Sequence, residues 1–249
     1  MSLLSVENVT RRFGSLIAVN NVSMTVEPGE LRAVIGPNGA GKTTFFNLIS
    51  GFLQPSSGRI VFDSDDITGM PPARRVWRGI ARTFQITEVF PELSVRENLR
   101  IAVEVASGYR LRPWISRAAA AEIAARVDEL LEMGGIAGVE HRLVGELSHG
   151  DQRACEIMMS LALKPRLLLL DEPTAGMGDQ ETYNTTQLIQ RLHRDQNLTV
   201  VLIEHDMRVI FHLAQRITVL AEGAVLAEGA PQEIAANAAV QAAYLGQAA

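Results

Sequence analysis

Apolar and polar positions alternate in short runs near the start of the chain. Residues 2–8, 22–26 and 59–63 read as strands, with Glu27-Pro28-Gly29 as a turn signal between β-branched stretches. They predict a small β layer. Leu31-Arg32-Ala33-Val34-Ile35 reads instead as a buried strand. It runs into Gly36-Pro37-Asn38-Gly39-Ala40-Gly41-Lys42-Thr43-Thr44 and then a helix to about Ser50, which Gly51 stops. The order is strand, glycine-rich loop, helix.

The pattern turns helical in the middle of the chain. Ser94 with Glu97 three residues on is a capping-box signature for a helix to about Val105, and Ser116 caps a second helix ending at Gly134-Gly135. On that second helix Ile123, Val127, Leu130 and Leu131 recur at helical spacing and mark a core-facing stripe. A further helix covers about 151–163, before Lys164-Pro165. Leu167 to Leu170 is a fully apolar strand ending in Asp171-Glu172-Pro173; a helix covers roughly 180–194; and residues 198–203 form another buried strand, closed by Glu204-His205-Asp206. Strands alternating with helices predict an α/β fold with a mainly parallel sheet covered on both faces. Such sheets bind ligands at the carboxyl ends of their strands.

Composition narrows the class. With 249 residues, 47% hydrophobic and 20% charged, and a mean hydropathy of +0.10, the chain has the makeup of one globular domain with a sizeable core. Its longest aliphatic runs fall far short of the roughly 20 apolar residues of a membrane-crossing helix. Arg11-Arg12 resembles part of a twin-arginine export signal, but the apolar stretch behind it, Leu16 to Val19, stops at Asn20 and is shorter than a signal core. The single cysteine, Cys155, allows neither an internal disulfide nor a cysteine metal cage and is expected to be a buried small hydrophobe in a cytoplasmic protein. A net charge of −5 argues against a dedicated nucleic-acid binder, although nine arginines and four glutamates between Arg74 and Arg117 make that stretch locally basic. Of 23 basic residues only Lys42 and Lys164 are lysines, so a lysine inside the glycine-rich loop stands out.

Gly36 to Thr43 matches G-x-x-x-x-G-K-[ST] between a predicted strand and a predicted helix, the context in which this pattern cradles phosphate. Its glycines let backbone N–H groups turn inward around phosphate oxygens, and the following helix adds its positive end. In such a loop Lys42 reaches the β- and γ-phosphates and the Thr43 hydroxyl holds Mg²⁺. Asp171, at the end of an apolar strand, suits a direct or water-mediated Mg²⁺ partner. Glu172 points the other way on an extended chain and can orient a water for attack on the γ-phosphate.

The remaining motifs bring a resemblance. Leu147-Ser148-His149-Gly150-Asp151-Gln152 is similar to the LSGGQ signature of ATP-binding cassette (ABC) transporter subunits, and Gln85 in Arg82-Thr83-Phe84-Gln85 resembles their Q-loop. His205 stands where that family carries its switch histidine, and Phe13 resembles the aromatic that stacks on adenine. The motifs follow in family order from about residue 3 to 245. Ser-x-Gly-Asp-Gln-Arg, together with Ala227 to Ile234 and Ala243 to Gly246, is similar to the branched-chain amino-acid importers and their amide or urea relatives. Departures from the family pattern are His149 for the first signature glycine, Asp151 for the usual glutamine, and Gly178 where an aspartate is usual.

The resemblance implies a P-loop ATPase core with an N-terminal antiparallel β layer, a helical signature subdomain over about 86–163 and a C-terminal helical tail over about 229–249. It implies ATP bound by Phe13, Gly36 to Thr44 and Gln85, with Mg²⁺ on Thr43, Gln85 and Asp171. Catalysis falls to Lys42, Glu172 and His205. Ser148, His149, Gly150 and Asp151 would serve the site of a second, identical or sister, ATPase. Two transmembrane permease subunits and, indirectly, an extracytoplasmic solute-binding protein are the implied partners, with the chain peripheral on the cytoplasmic face of the inner membrane. A soluble ABC ATPase or a nucleotide-gated regulatory module is the alternative.

Overall fold

The computed structural model describes residues 2–83, 89–109 and 116–245. The described elements are, in order, β1 (Leu4–Phe13), β2 (Leu16–Val26), β3 (Leu31–Ile35), α1 (Lys42–Ser50), β4 (Ser57–Phe62), β5 (Asp65–Asp66), α2 (Pro72–Trp77) and β6 (Ile80–Arg82). Three long helices follow, α3 (Val95–Ala106), α4 (Arg117–Gly134) and α5 (His149–Leu161). The chain then runs through β7 (Leu167–Asp171), α6 (Asp179–Gln196), β8 (Thr199–Ile203), α7 (Met207–Leu213), β9 (Arg216–Ala221), β10 (Ala224–Gly229), α8 (Pro231–Ala235) and α9 (Ala238–Leu245).

The first sheet is antiparallel, with strand order β2-β1-β4-β5. Its first two strands are longer than residues 2–8 and 22–26. Asn8 and Asn21 take positive φ of 49° and 51°, and the β1–β2 register shifts beyond Val6, so the alternation breaks while the pairing continues. The second sheet has the order β10-β9-β3-β8-β7-β6, parallel except for β10. As predicted, a parallel sheet is covered on both faces.

Helix α1 lies between the sheets. Its Phe45, Phe46, Leu48 and Ile49 share one buried cluster with Leu4 and Val6 of β1 and with Leu167, Leu169, Val201 and Ile203 of the parallel strands. The alternate residues Leu168, Leu170, Val200 and Leu202 face the other way, against Leu99, Leu130, Ile157, Met158 and Ile189 of the long helices. A strand side chain changes face at every residue, so an unbroken leucine run is what a strand buried on both faces requires.

Local signals set the helix ends. The Ser94 hydroxyl and the Glu97 carboxylate complete the capping box of α3, and Gly51 and Gly135 end α1 and α4 with positive φ of 85° and 69°. Helix α5 begins at His149, two residues earlier than the pattern indicated, because Ser148 Oγ accepts the Asp151 N–H and so makes Ser148 the cap. The last turn of α1 is closed by Arg75, whose fully buried guanidinium donates to the carbonyls of Leu48 at 2.8 Å, Ile49 at 2.7 Å and Ile67 at 2.7 Å. No helix among the described residues is long and apolar enough to cross a membrane.

All parallel strands deliver their carboxyl ends to one side. In the register, Ile203 pairs with Val34 of β3 and with Asp171 of β7, so the loops that follow the three central strands leave the sheet together.

Candidate active site

The glycine loop is pressed between β2 and β9. At Gly36, φ 151°, a Cβ would sit 2.1 Å from the Leu220 carbonyl oxygen, and at Gly41, φ 94°, 2.3 Å from that of Ala18. Only glycine fits either place. The turn between β9 and β10 braces the loop further, through the Gly223 N–H on the Ala40 carbonyl at 3.2 Å. Lys42 folds back into the loop and donates to the carbonyls of Gly36 at 2.7 Å and Pro37 at 3.0 Å. Burial pushes its ammonium below the usual lysine range, while the negative charges of Glu172 and Asp171 oppose that shift.

Above the loop lies a cavity of about 510 Å³, lined by residues 38–44, Glu172, His205, residues 16–18 and the Glu222-Gly223 turn. A cavity of similar volume, 520 Å³, opens beside Pro28, Lys164, Arg166 and Asn197, and it carries none of these groups. Chemistry rather than size singles out the first. Glu172 enters it from an unusual backbone, with φ 46° and its N–H on the Ile203 carbonyl at 3.0 Å. Its Oε1 stands 2.9 Å from Nε2 of His205. A carboxylate only accepts, so the imidazole proton in this contact is on Nε2.

Asp171 is turned away from this cavity and is bonded to Arg82, 2.8 Å away. The same guanidinium reaches Asn47 Oδ1 at 2.7 Å and Ser50 Oγ at 2.8 Å on α1. Phe13 is exposed at the end of β1 with the Arg11 guanidinium 4.5 Å over its ring, outside the cavity lining; the apolar wall there comes from Leu16, Ile17 and Ala18. Gln85 lies outside the described residues.

The signature residues do not share this cavity. Ser148, Gly150 and Asp151 line a separate one of about 460 Å³ with Glu181. There the Glu181 carboxylate accepts the N–H of Gly150 at 3.2 Å and of Gly178 at 3.3 Å. His149, exposed, opens α5 beside them. One chain therefore brings together Lys42, Thr43, Glu172 and His205, and holds its signature apart. Sequence reasoning missed Arg82, Glu181 and Glu204 as parts of this arrangement. Glu204 stood in the noted triplet Glu204-His205-Asp206, and its adjacency to His205 was the available signal.

Residues 19–175 match the ABC transporter family. The chain belongs to that family. Membership carries ATP as a ligand and ATP hydrolysis as the activity. Residues 224–249 of this cassette match a second family, described as branched-chain amino acid ATP-binding cassette transporter. The cassette is 40% identical, over 99% of its own length and 98% of theirs, to the high-affinity branched-chain amino acid transport ATP-binding proteins BraF of Pseudomonas aeruginosa and LivG of Escherichia coli K12. Among solved structures, a nucleotide-free ATP-binding cassette from an ABC transporter superimposes with a TM-score of 0.85 at 28% identity, over 98% of this chain and 99% of that one. A dimeric bacterial ABC transporter cassette gives 0.76 at 26%, over 92% and 98%. Both sheets and the helical arm expected of such a cassette are present.

Proposed function

We propose that this cassette hydrolyses ATP, as one half of a head-to-tail pair, to drive import of branched-chain amino acids or a related small polar solute. The pair works with two transmembrane permease subunits, and indirectly with an extracytoplasmic solute-binding protein, from a peripheral seat on the cytoplasmic face of the inner membrane. No nucleic acid is involved. Support for the solute comes from the identity to BraF and LivG along nearly the whole chain and from the family match at residues 224–249. A relative at 34% identity, LptB of Haemophilus influenzae, belongs to a lipopolysaccharide export system, so kinship to the family alone would leave direction open.

The observation that carries the reading is the 2.9 Å contact of Glu172 and His205 over the phosphate loop. With ATP in place, Lys42 exchanges the loop carbonyls for β- and γ-phosphate oxygens, and the N–H groups of residues 38–44 surround the same oxygens. Glu172 accepts the proton of the attacking water. His205 turns its Nε2–H from Glu172 toward the γ-phosphate. Thr43 lines the cavity and suits Mg²⁺ as an oxygen ligand; a metal bound largely by phosphate and water needs few protein oxygens. Thr43 and Gln85 would hold it, with Asp171, held by Arg82 outside the lining, acting through water. When bound, it neutralises charge that builds on the phosphates.

The signature of the mate, Ser148 to Asp151, closes the site from the other chain, since within one chain the two cavities are separate. Helices α3, α4 and α5 form the arm that carries it. The test is Glu172→Gln. Loss of turnover with retained ATP-dependent pairing is the expected result; unchanged turnover removes Glu172 from its role, and pairing without any wild-type turnover favours a nucleotide-gated module.

A further inference from the structure

Glu204 follows β8 directly and is only 4% exposed. Its Oε1 accepts the backbone N–H of Thr174 at 3.1 Å and also the Thr174 hydroxyl. Its Oε2 accepts the N–H of His205 at 2.7 Å and of Asp206 at 3.4 Å. Among the described residues no arginine, lysine or histidine forms an ion pair with it. Burying a carboxylate is costly unless its oxygens are well supplied with donors. Here the donors come from two loops, one leaving β7 after Glu172 and one leaving β8 at His205. An amide or hydroxyl side chain has too few acceptor sites to hold both.

We infer that Glu204 is a positioning residue that ties the turn after Glu172 to the backbone of His205 and so fixes the separation of the carboxylate and imidazole that act on ATP. The inference rests on the proposed roles of Glu172 and His205. Each of those side chains is attached within two residues of a group that Glu204 holds, and Glu172 itself has a positive φ of 46°. The segment from Thr174 to Gly178 leads into α6, so a displacement of that segment would be carried through one carboxylate to His205. Coupling of this kind needs a contiguous physical link, and the four hydrogen bonds supply one.

Two variants test it. Glu204→Gln keeps one acceptor oxygen and turns N–H donors against amide donors, releasing one loop; Thr174→Val removes the hydroxyl donor and keeps the backbone N–H. Steady-state ATP turnover, equilibrium ATP binding and the ring-nitrogen resonances of His205 in nucleotide-free protein are measured for each. Misplacement of catalytic groups by a fraction of an ångström predicts kcat lower by about tenfold in E204Q and about threefold in T174V, with KM within about twofold of wild type. Thr174→Ser restores turnover, and the His205 resonances move in E204Q. Unchanged kcat, or a loss that follows weakened ATP binding with unmoved His205 resonances, overturns the inference. If E204Q fails to fold, T174V and T174S decide it on the same criteria. A wild-type protein without turnover sinks the underlying reading, whereas the nucleotide-free resonances still decide the tether.

Discussion

Arg82 and Asp171 meet at 2.8 Å with side chains 6% and 4% exposed, so the carboxylate at the end of β7 is neutralised by the chain's own cation. Through Asn47 and Ser50 the same arginine fastens β6 and β7 to the phosphate-loop helix. Three elements far apart in sequence share one charge.

Removal of Arg82 is therefore predicted to act on stability as well as on chemistry. Arg82→Met leaves Asp171 buried without its cation, and breaking a buried pair from one side costs about 3–5 kcal/mol. Urea unfolding of the nucleotide-free protein checks this. Arg82→Lys is expected to recover only part of the loss, because a point ammonium cannot span the three acceptors that the planar fork reaches.

Glu181 gives a pH dependence with a definite sign. The N–H groups of Gly150 and Gly178, the larger effect first, hold its carboxylate below the ordinary 4.5. A depressed carboxylate binds fewer protons folded than unfolded. Its contribution is therefore complete above pH 4.5 and disappears as the pH falls through the lower folded value. Melting temperatures of wild type and Glu181→Gln should differ at neutral pH and converge in acid.

Cys155 is predicted to be inert in the folded protein. Its thiol is buried on α5, and burial, reinforced by the Glu156 charge, pushes its pKa up to about 12. Thiolate is the reacting form. Maleimide labelling should be slower than in denatured protein by at least about a thousandfold, and its rate should follow opening of the fold. Rapid labelling without denaturant would show that the α5 packing leaves the thiol accessible.

What was legible in the sequence was local. Gly36 to Thr43 is contiguous, and Ser94, Ser116, Gly51 and Gly135 act on neighbours within four residues, so the strand, glycine loop and helix order and most helix ends were read correctly. The leucine run Leu167 to Leu170 announced a strand covered twice. Strands β1 and β2 were read short because their positive-φ asparagines interrupt alternation without ending the pairing. The links between distant positions were beyond reach: Arg82 to Asp171, Thr174 to Glu204, and Arg75 to the end of α1 depend on which strands adjoin. Glu204 in particular was read only as part of Glu204-His205-Asp206 at the end of a buried strand, and its bonds to Thr174 were not visible from that position.

The β7–β8 register has a consequence for how this segment can change over time. Asp171 and Ile203 are level, so Glu172 on one strand and Glu204-His205 on the other leave the sheet within one residue of each other. Losing or gaining a single residue in either strand would slide one side by about 3.3 Å and exchange every leucine between faces. The length of these two strands is therefore closed to change, which makes the pair a fixed ruler for the spacing of Glu172 and His205.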